Sequence, residues 1–193
     1  VGANAARMAI GLGASVTIID KSLSRLNELD MRFGATLKTT FATMEAIEQS
    51  VMDADLVIGA VLVPGASAPK LVSREIVRQM GLGSVVVDVA IDQGGCFETS
   101  QPTSHDNPTF IQDGVVHYCV SNMPGAVART STRALNNATL PFIIEIADKG
   151  YKRAMEENSH LMEGLNIYKG SVTYEAVAND LGHDYIAPQK VLA

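Results

Sequence analysis

The feature that most constrains this chain is a series of short apolar runs that do not alternate. Residues 16–19, 55–62 and 84–90 are rich in Val, Ile and Leu and nearly unbroken by polar residues. A strand wetted on one face alternates apolar with polar side chains, whereas a continuous run of this length suits a parallel strand covered on both faces. Residues 35–41 read as a further modest strand and 115–121 as a last one. Segments of helical period lie between them. Ser22 is placed to cap a helix through Phe33, with Leu23, Leu26, Leu29 and Met31 or Phe33 on its apolar face and Gly34 as its stop. Thr43 opens a helix through Met52, and Ser73 caps a short one to Met80. Strands alternating with helices predict an α/β fold built on a doubly wound parallel sheet.

The opening stretch says what such a sheet could bind. Gly2, Ala5, Ala6 and Ala9 leave little bulk on one helical face, so this helix can lie close on the sheet. The strand after it ends in Asp20, at the carboxyl end where open α/β sheets bind ligands. This is the back half of a dinucleotide-binding βαβ unit. Counted from Gly2 to Asp20, the acid follows at about 18 residues, near the spacing for a carboxylate on the adenosine ribose. The first strand and the first two glycines of that fingerprint would precede Val1, so the expectation is an N-terminally truncated Rossmann domain. A plain helix–strand unit with a surface Asp fits the same residues.

Three further loops follow three strands, at residues 61–66, 89–95 and 121–126, and each contains Gly. Apolar Val61 and Leu62 could cover the adenine or the nicotinamide ribose. Asp92, beyond a buried strand and beside Gly94-Gly95, could take part in proton transfer; a carboxylate that merely caps a turn is the commoner role. Arg25 could reach the adenosine side of a cofactor, or simply face solvent. His117 lies in a strand and reads as a core histidine, while His105 reads as solvated. No Walker loop, HExxH or GxSxG elbow is present. A net charge of −6 argues against nucleic acid or an anionic membrane as the main partner. Cys96 and Cys119 have no zinc spacing and read as reduced cytosolic thiols. The region 92–108 reads as a loop.

Past Met123-Pro124-Gly125 the character changes. Residues 130–149 predict a long helix, bent by Pro141 and stopped by Gly150. Shorter helices at 151–158 and 173–181 flank an extended segment at 166–173. This tail is small for a core of its own and is expected to complete a neighbouring domain. The expected division is a cofactor-binding domain over residues 1–126 and part of a second domain over 127–193.

The segments 54–61, Asp88-Val89-Ala90-Ile91-Asp92-Gln93-Gly94-Gly95 and His117-Tyr118-Cys119-Val120-Ser121-Asn122-Met123-Pro124-Gly125-Ala126 resemble the alanine dehydrogenase family, and the likeness runs over essentially the whole chain. The resemblance implies an NAD-dependent oxidation of L-alanine to pyruvate and ammonia, reversible as a reductive amination. It also implies a cytoplasmic homohexamer whose Rossmann domain is inserted in a substrate domain. By position, Gly2 and Asp20 resemble the glycine and the ribose-binding acid of the fingerprint, and Arg25 the basic residue beside adenosine. Val61, Leu62, Val89, Ala90, Ile91 and Asp92, with Val120, Ser121, Asn122 and Met123, resemble the remaining cofactor contacts. Asp92 also resembles the family's acid/base aspartate. The family's substrate-binding Arg and Lys and its catalytic His have no counterpart in these residues, so the 193-residue chain alone is expected to lack alanine turnover. Two alternatives stay open: the NAD(H)-binding subunit of proton-translocating transhydrogenase, and a nucleotide-binding module without chemistry.

Overall fold

The structure, a computed structural model, describes residues 1–192. They form two compact units: Val1–Leu62 with Ala68–Met123, and Val63–Ser67 with Pro124 onward.

The first unit runs α1 (Gly2–Gly11), β1 (Val16–Asp20), α2 (Leu23–Phe33), β2 (Leu37–Phe41), α3 (Met44–Met52), β3 (Leu56–Gly59), α4 (Arg74–Val77), β4 (Val85–Asp88), β5 (Thr109–Gln112) and β6 (Val115–Tyr118). β1 and β2 pair in parallel, from Val16 opposite Leu37 to Asp20 opposite Phe41. A four-stranded sheet has the order β3-β4-β6-β5, with β3, β4 and β6 parallel. Parallel strands joined through helices are the Rossmann-type arrangement.

Local chemistry explains most boundaries. Ser22, Thr43 and Ser73 each accept a backbone N–H three residues on, from Arg25, Ala46 and Ile76, and so cap α2, α3 and α4. The small residues of α1 let it pack closely: Ala6, Leu29 and Leu37 form a buried cluster with Ala3, Ile10, Val16 and Ile18 against it. The larger core surrounds β4, where Val77, Val86, Phe97 and Val115 lose all contact with solvent. At about 1.5–3 kcal/mol for each such side chain, β4 and the segments over it anchor the unit.

Four expectations need correction. β3 is not covered on both faces, since Leu56 and Ile58 remain 49% and 36% exposed. It hydrogen-bonds β4 alone and is an edge strand among the described residues. The sheet is not wholly parallel either. Residues 109–112 form β5, which pairs antiparallel with β6 through a turn in which Asp113 and Gly114 both have positive φ. On α2 only Leu26 and Leu29 are buried, while Leu23 and Met31 face outward, because a 3.6-residue period cannot bring all of these positions to one side. Finally, α4 ends at Val77, short of Met80.

The second unit contains α5 (Ala128–Lys149), α6 (Tyr151–Glu157), α7 (Ser159–Glu163), the hairpin β7 (Ile167–Tyr168) and β8 (Ser171–Val172), α8 (Glu175–Leu181) and α9 (Pro188–Leu192). Pro141 lies inside α5, and Gly150 at φ 75° separates α5 from α6. α7 and α9, at five residues each, are too short to show a helical period in the sequence. Ala154, Thr173, Ala178 and Leu192 are its buried residues, a small core as the sequence suggests.

Candidate functional site

Because β3, β4 and β6 are parallel, their carboxyl ends share one edge of the sheet. That edge carries residues 60–62, the 3₁₀ turn Val89–Gln93, and residues 119–123. α1 starts at the same edge: a Cβ placed on Gly2 would stand 3.8 Å from the Ala60 Cβ. A short connection, residues 12–15, reverses the chain into β1, so Asp20 returns toward the side from which α1 set out.

Asp20 is half-buried and takes the Ser22 N–H on Oδ1 at 2.8 Å. Its Oδ2 has no protein hydrogen bond among the described residues. At the start of α1, Val1 supplies no side-chain cap, and the first intrahelical bonds are those of the Asn4 and Ala5 N–H groups to the Val1 carbonyl. The Gly2 and Ala3 N–H groups therefore point off the helix end. Arg25 is engaged elsewhere, its guanidinium paired with Glu28 one turn along α2. The structure therefore keeps Arg25 on the helix surface and does not bring it to Asp20.

Val61 packs on the main core, whereas Leu62 is 72% exposed. Ala90 and Ile91 are buried, Val89 is half-buried, and Asp92 is exposed with no side-chain hydrogen bond among the described residues. At the end of β6, Val120 is buried, Ser121 and Met123 are half-buried, and Asn122 is exposed at φ 55°. Asn tolerates this left-handed conformation better than most residues. His105 is more than a solvated loop residue: its Nε2 lies 3.0 Å from the Asn122 carbonyl oxygen and ties the loop 101–108 to the site edge.

His117 is a core histidine, as its strand position suggests. It is fully buried, stacks on Phe110 at 4.8 Å, and lies 3.0 Å by Nδ1 from the Val115 carbonyl and 2.8 Å by Nε2 from Thr99 Oγ1. A carbonyl only accepts, so Nδ1 carries the proton and Nε2 accepts from Thr99. Burial pulls the imidazole pKa below its usual value, against the upward pull of the Val115 carbonyl and the charges of Asp113 and Asp88.

Asp88 stands out only once the chain is folded. It is fully buried at the end of β4 and receives N–H groups from Ala90, Cys96 and Phe97 and the Ser100 hydroxyl. The available signal was a carboxylate inside the run Val85-Val86-Val87-Asp88-Val89-Ala90, since a charge there must be paired by dipoles or ions. Beside it, burial and then the Asp88 charge push the Cys96 thiol up to about 12, and burial raises Cys119 as well. Neither thiol is a ready nucleophile at neutral pH. Among the described residues no group of three or more His, Cys, Asp or Glu could hold a metal ion. No described helix is long and apolar enough to cross a membrane.

Comparison with known proteins agrees with this fold. A family model described as the alanine dehydrogenase/PNT C-terminal domain matches residues 1–175. An alanine dehydrogenase of Halomonas elongata is 60% identical over 186 residues, covering 96% of this chain and 50% of that protein. One from Bacillus subtilis is 56% identical over 193 residues, covering 100% and 51%. A solved L-alanine dehydrogenase superposes with a TM-score of 0.82 at 50% identity, covering 94% of this chain and 50% of the other. A transhydrogenase from Sinorhizobium meliloti superposes with a TM-score of 0.67 at 25% identity, covering 91% and 47%. The chain thus spans about half the length of the curated relatives it matches.

Proposed function

The chain belongs to the alanine dehydrogenase/PNT C-terminal domain family, and from that premise we propose that the whole protein is an NAD-dependent alanine dehydrogenase. In this reading it is a cytoplasmic homohexamer, residues 1–126 bind the dinucleotide, and residues 127–193 contribute to the substrate domain. The observation that carries the reading is the set of parallel strands whose carboxyl ends deliver residues 60–62, Asp92 and Asn122 to one edge, with the start of α1 beside it.

The residues present suit the cofactor. The unpaired N–H groups at the start of α1 match a pyrophosphate, as helix N-termini commonly do. Asp20 Oδ2 is left to accept a ribose hydroxyl, and its charge would repel a 2′-phosphate, which favours NAD over NADP. Val61 and Val89 provide apolar walls, backed by the buried Val120, and the exposed Leu62 an apolar cover. Arg25 joins the adenosine side only by giving up Glu28.

NAD, when bound, would supply the acceptor for the hydride that leaves the alanine Cα. The resulting imine must gain water and then lose ammonia to give pyruvate, and both events move protons. In this reading Asp92 carries them, supported by its exposed position in the turn after β4 and a carboxylate with no protein partner among the described residues. Asn122 and Met123 line the same edge and would hold the nicotinamide end. The groups that bind the alanine carboxylate and a catalytic histidine are assigned to the part of the protein outside this chain; His117, walled into the core, cannot serve as that histidine. Identities of 50–60% to alanine dehydrogenases, against 25% to the transhydrogenase, favour this reading over the transhydrogenase one.

The test is NADH formation by the purified whole protein. Alanine-dependent reduction of NAD supports the reading; NAD binding without any alanine-dependent reduction rejects it in favour of a binding module.

A further inference from the structure

Asp92 sits on a turn that its own side chain does nothing to hold, since that carboxylate makes no hydrogen bond among the described residues. What fixes the turn lies beneath it. Asp88 Oδ1 accepts the Ala90 N–H at 3.0 Å and so starts the 3₁₀ turn Val89–Gln93. Asp88 Oδ2 accepts the Cys96 N–H at 2.8 Å, the Phe97 N–H at 3.3 Å and the Ser100 hydroxyl at 2.5 Å, and so holds the segment that follows. The approach is close enough to require glycine: a Cβ on Gly95, at φ 77°, would stand 2.6 Å from Asp88 Oδ2. Gly59 opposes Asp88 in the parallel ladder, and its missing side chain is the space that Cys96 and Phe97 occupy. From the other side, Lys70 Nζ donates to the Gly94 carbonyl at 2.5 Å and to the Phe97 carbonyl at 3.2 Å.

We propose that Asp88 is a positioning residue for Asp92: its buried carboxylate gathers the donors on both sides of the turn and so sets where the Asp92 carboxylate stands. The proposal rests on the role given to Asp92 above. A neutral amide cannot replace this carboxylate. Both Asp88 oxygens accept from N–H or O–H donors, so Asp88→Asn puts an NH2 group against at least one of them and the turn must shift. A displacement of about 1 Å at a proton-transferring group can lower turnover on the order of 100-fold.

The experiment is a double-mutant cycle on the whole protein, measuring kcat, KM for NAD and the pH dependence of kcat. Asp88→Asn is expected to lower kcat by about tenfold or more, from the same positional argument, and to displace the pH profile. Combined with Asp92→Asn it should lower kcat no further than Asp92→Asn alone. Additive losses, or an unchanged kcat and pH profile in Asp88→Asn, overturn the proposal while leaving Asp92 in its role. Full turnover by Asp92→Asn overturns the role of Asp92, and the positioning claim with it. Should Asp88→Asn not fold, Ser100→Ala takes its place in the cycle, because it removes one donor to Oδ2 and leaves the charge. A loss of a few-fold that disappears in the Asp92→Asn background supports the proposal, and one that adds to it overturns it.

Discussion

Gly59→Ala puts a single methyl group at the point where the site loop crosses the sheet. The new Cβ would lie 2.3 Å from Cys96 Sγ and 2.8 Å from Phe97 Cε2. Unstrained contacts between such atoms are near 3.5–4.0 Å, so the gap is short by about 1 Å or more. Neither neighbour has room to retreat, with Cys96 at 2% and Phe97 at 0% exposure. Both are also tied through their N–H groups to Asp88. Overpacking of this kind costs about 1–3 kcal/mol, and weakening one bond to a charged acceptor adds about 1.5 kcal/mol. The Gly-to-Ala gain in chain entropy returns about 0.5–1 kcal/mol. The net loss is about 1.5–4 kcal/mol, or roughly 3–16 °C in Tm at about 2–4 °C per kcal/mol. Thermal unfolding followed by circular dichroism on the whole protein reads it, with Gly81→Ala as control, since a Cβ there meets nothing within 4 Å. In a Cys96→Ala background, where the sulfur is gone, the Gly59→Ala loss should shrink by about 0.5 kcal/mol or more. A Gly59→Ala protein as stable as the Gly81→Ala control, or a strictly additive cycle, would refute the packing account.

Asp20→Ala removes the carboxylate proposed for the ribose hydroxyls; at about 1.5–3 kcal/mol for bonds to a charged group, KM for NAD should rise roughly 10- to 150-fold with a smaller change in kcat. An unchanged NAD dependence would remove Asp20 from the site. His117, with its folded-state pKa lowered by burial, binds a proton less readily folded than unfolded, so its contribution to stability is present above its usual value of 6.5 and is lost as pH falls through the lower folded value. Tm should therefore fall with acidification below about pH 6.5, and more steeply than in His117→Gln; equal slopes would show that His117 is not the titrating group.

Some of this molecule is written in nearest neighbours along the chain. The caps at Ser22, Thr43 and Ser73 and the stop at Gly150 are satisfied by atoms within a few residues, so reading the chain locally is enough to place them. Continuous apolar runs likewise announce parallel strands, and Asp20 stands at the carboxyl end of one, as its place in the run requires. Other features depend on partners remote in sequence. Phe110 becomes a strand residue because β6 offers it an antiparallel edge, and His105 becomes a tether because the Asn122 carbonyl lies beside it. The central features of the site edge are of this second kind. Asp88 looks like one carboxylate in a strand until Gly59, Lys70, Cys96 and Ser100 converge on it and its loop. Hydrophobic period and capping act over one turn or one strand, whereas burying a charge requires donors from several elements at once, and only the packed chain brings those donors together.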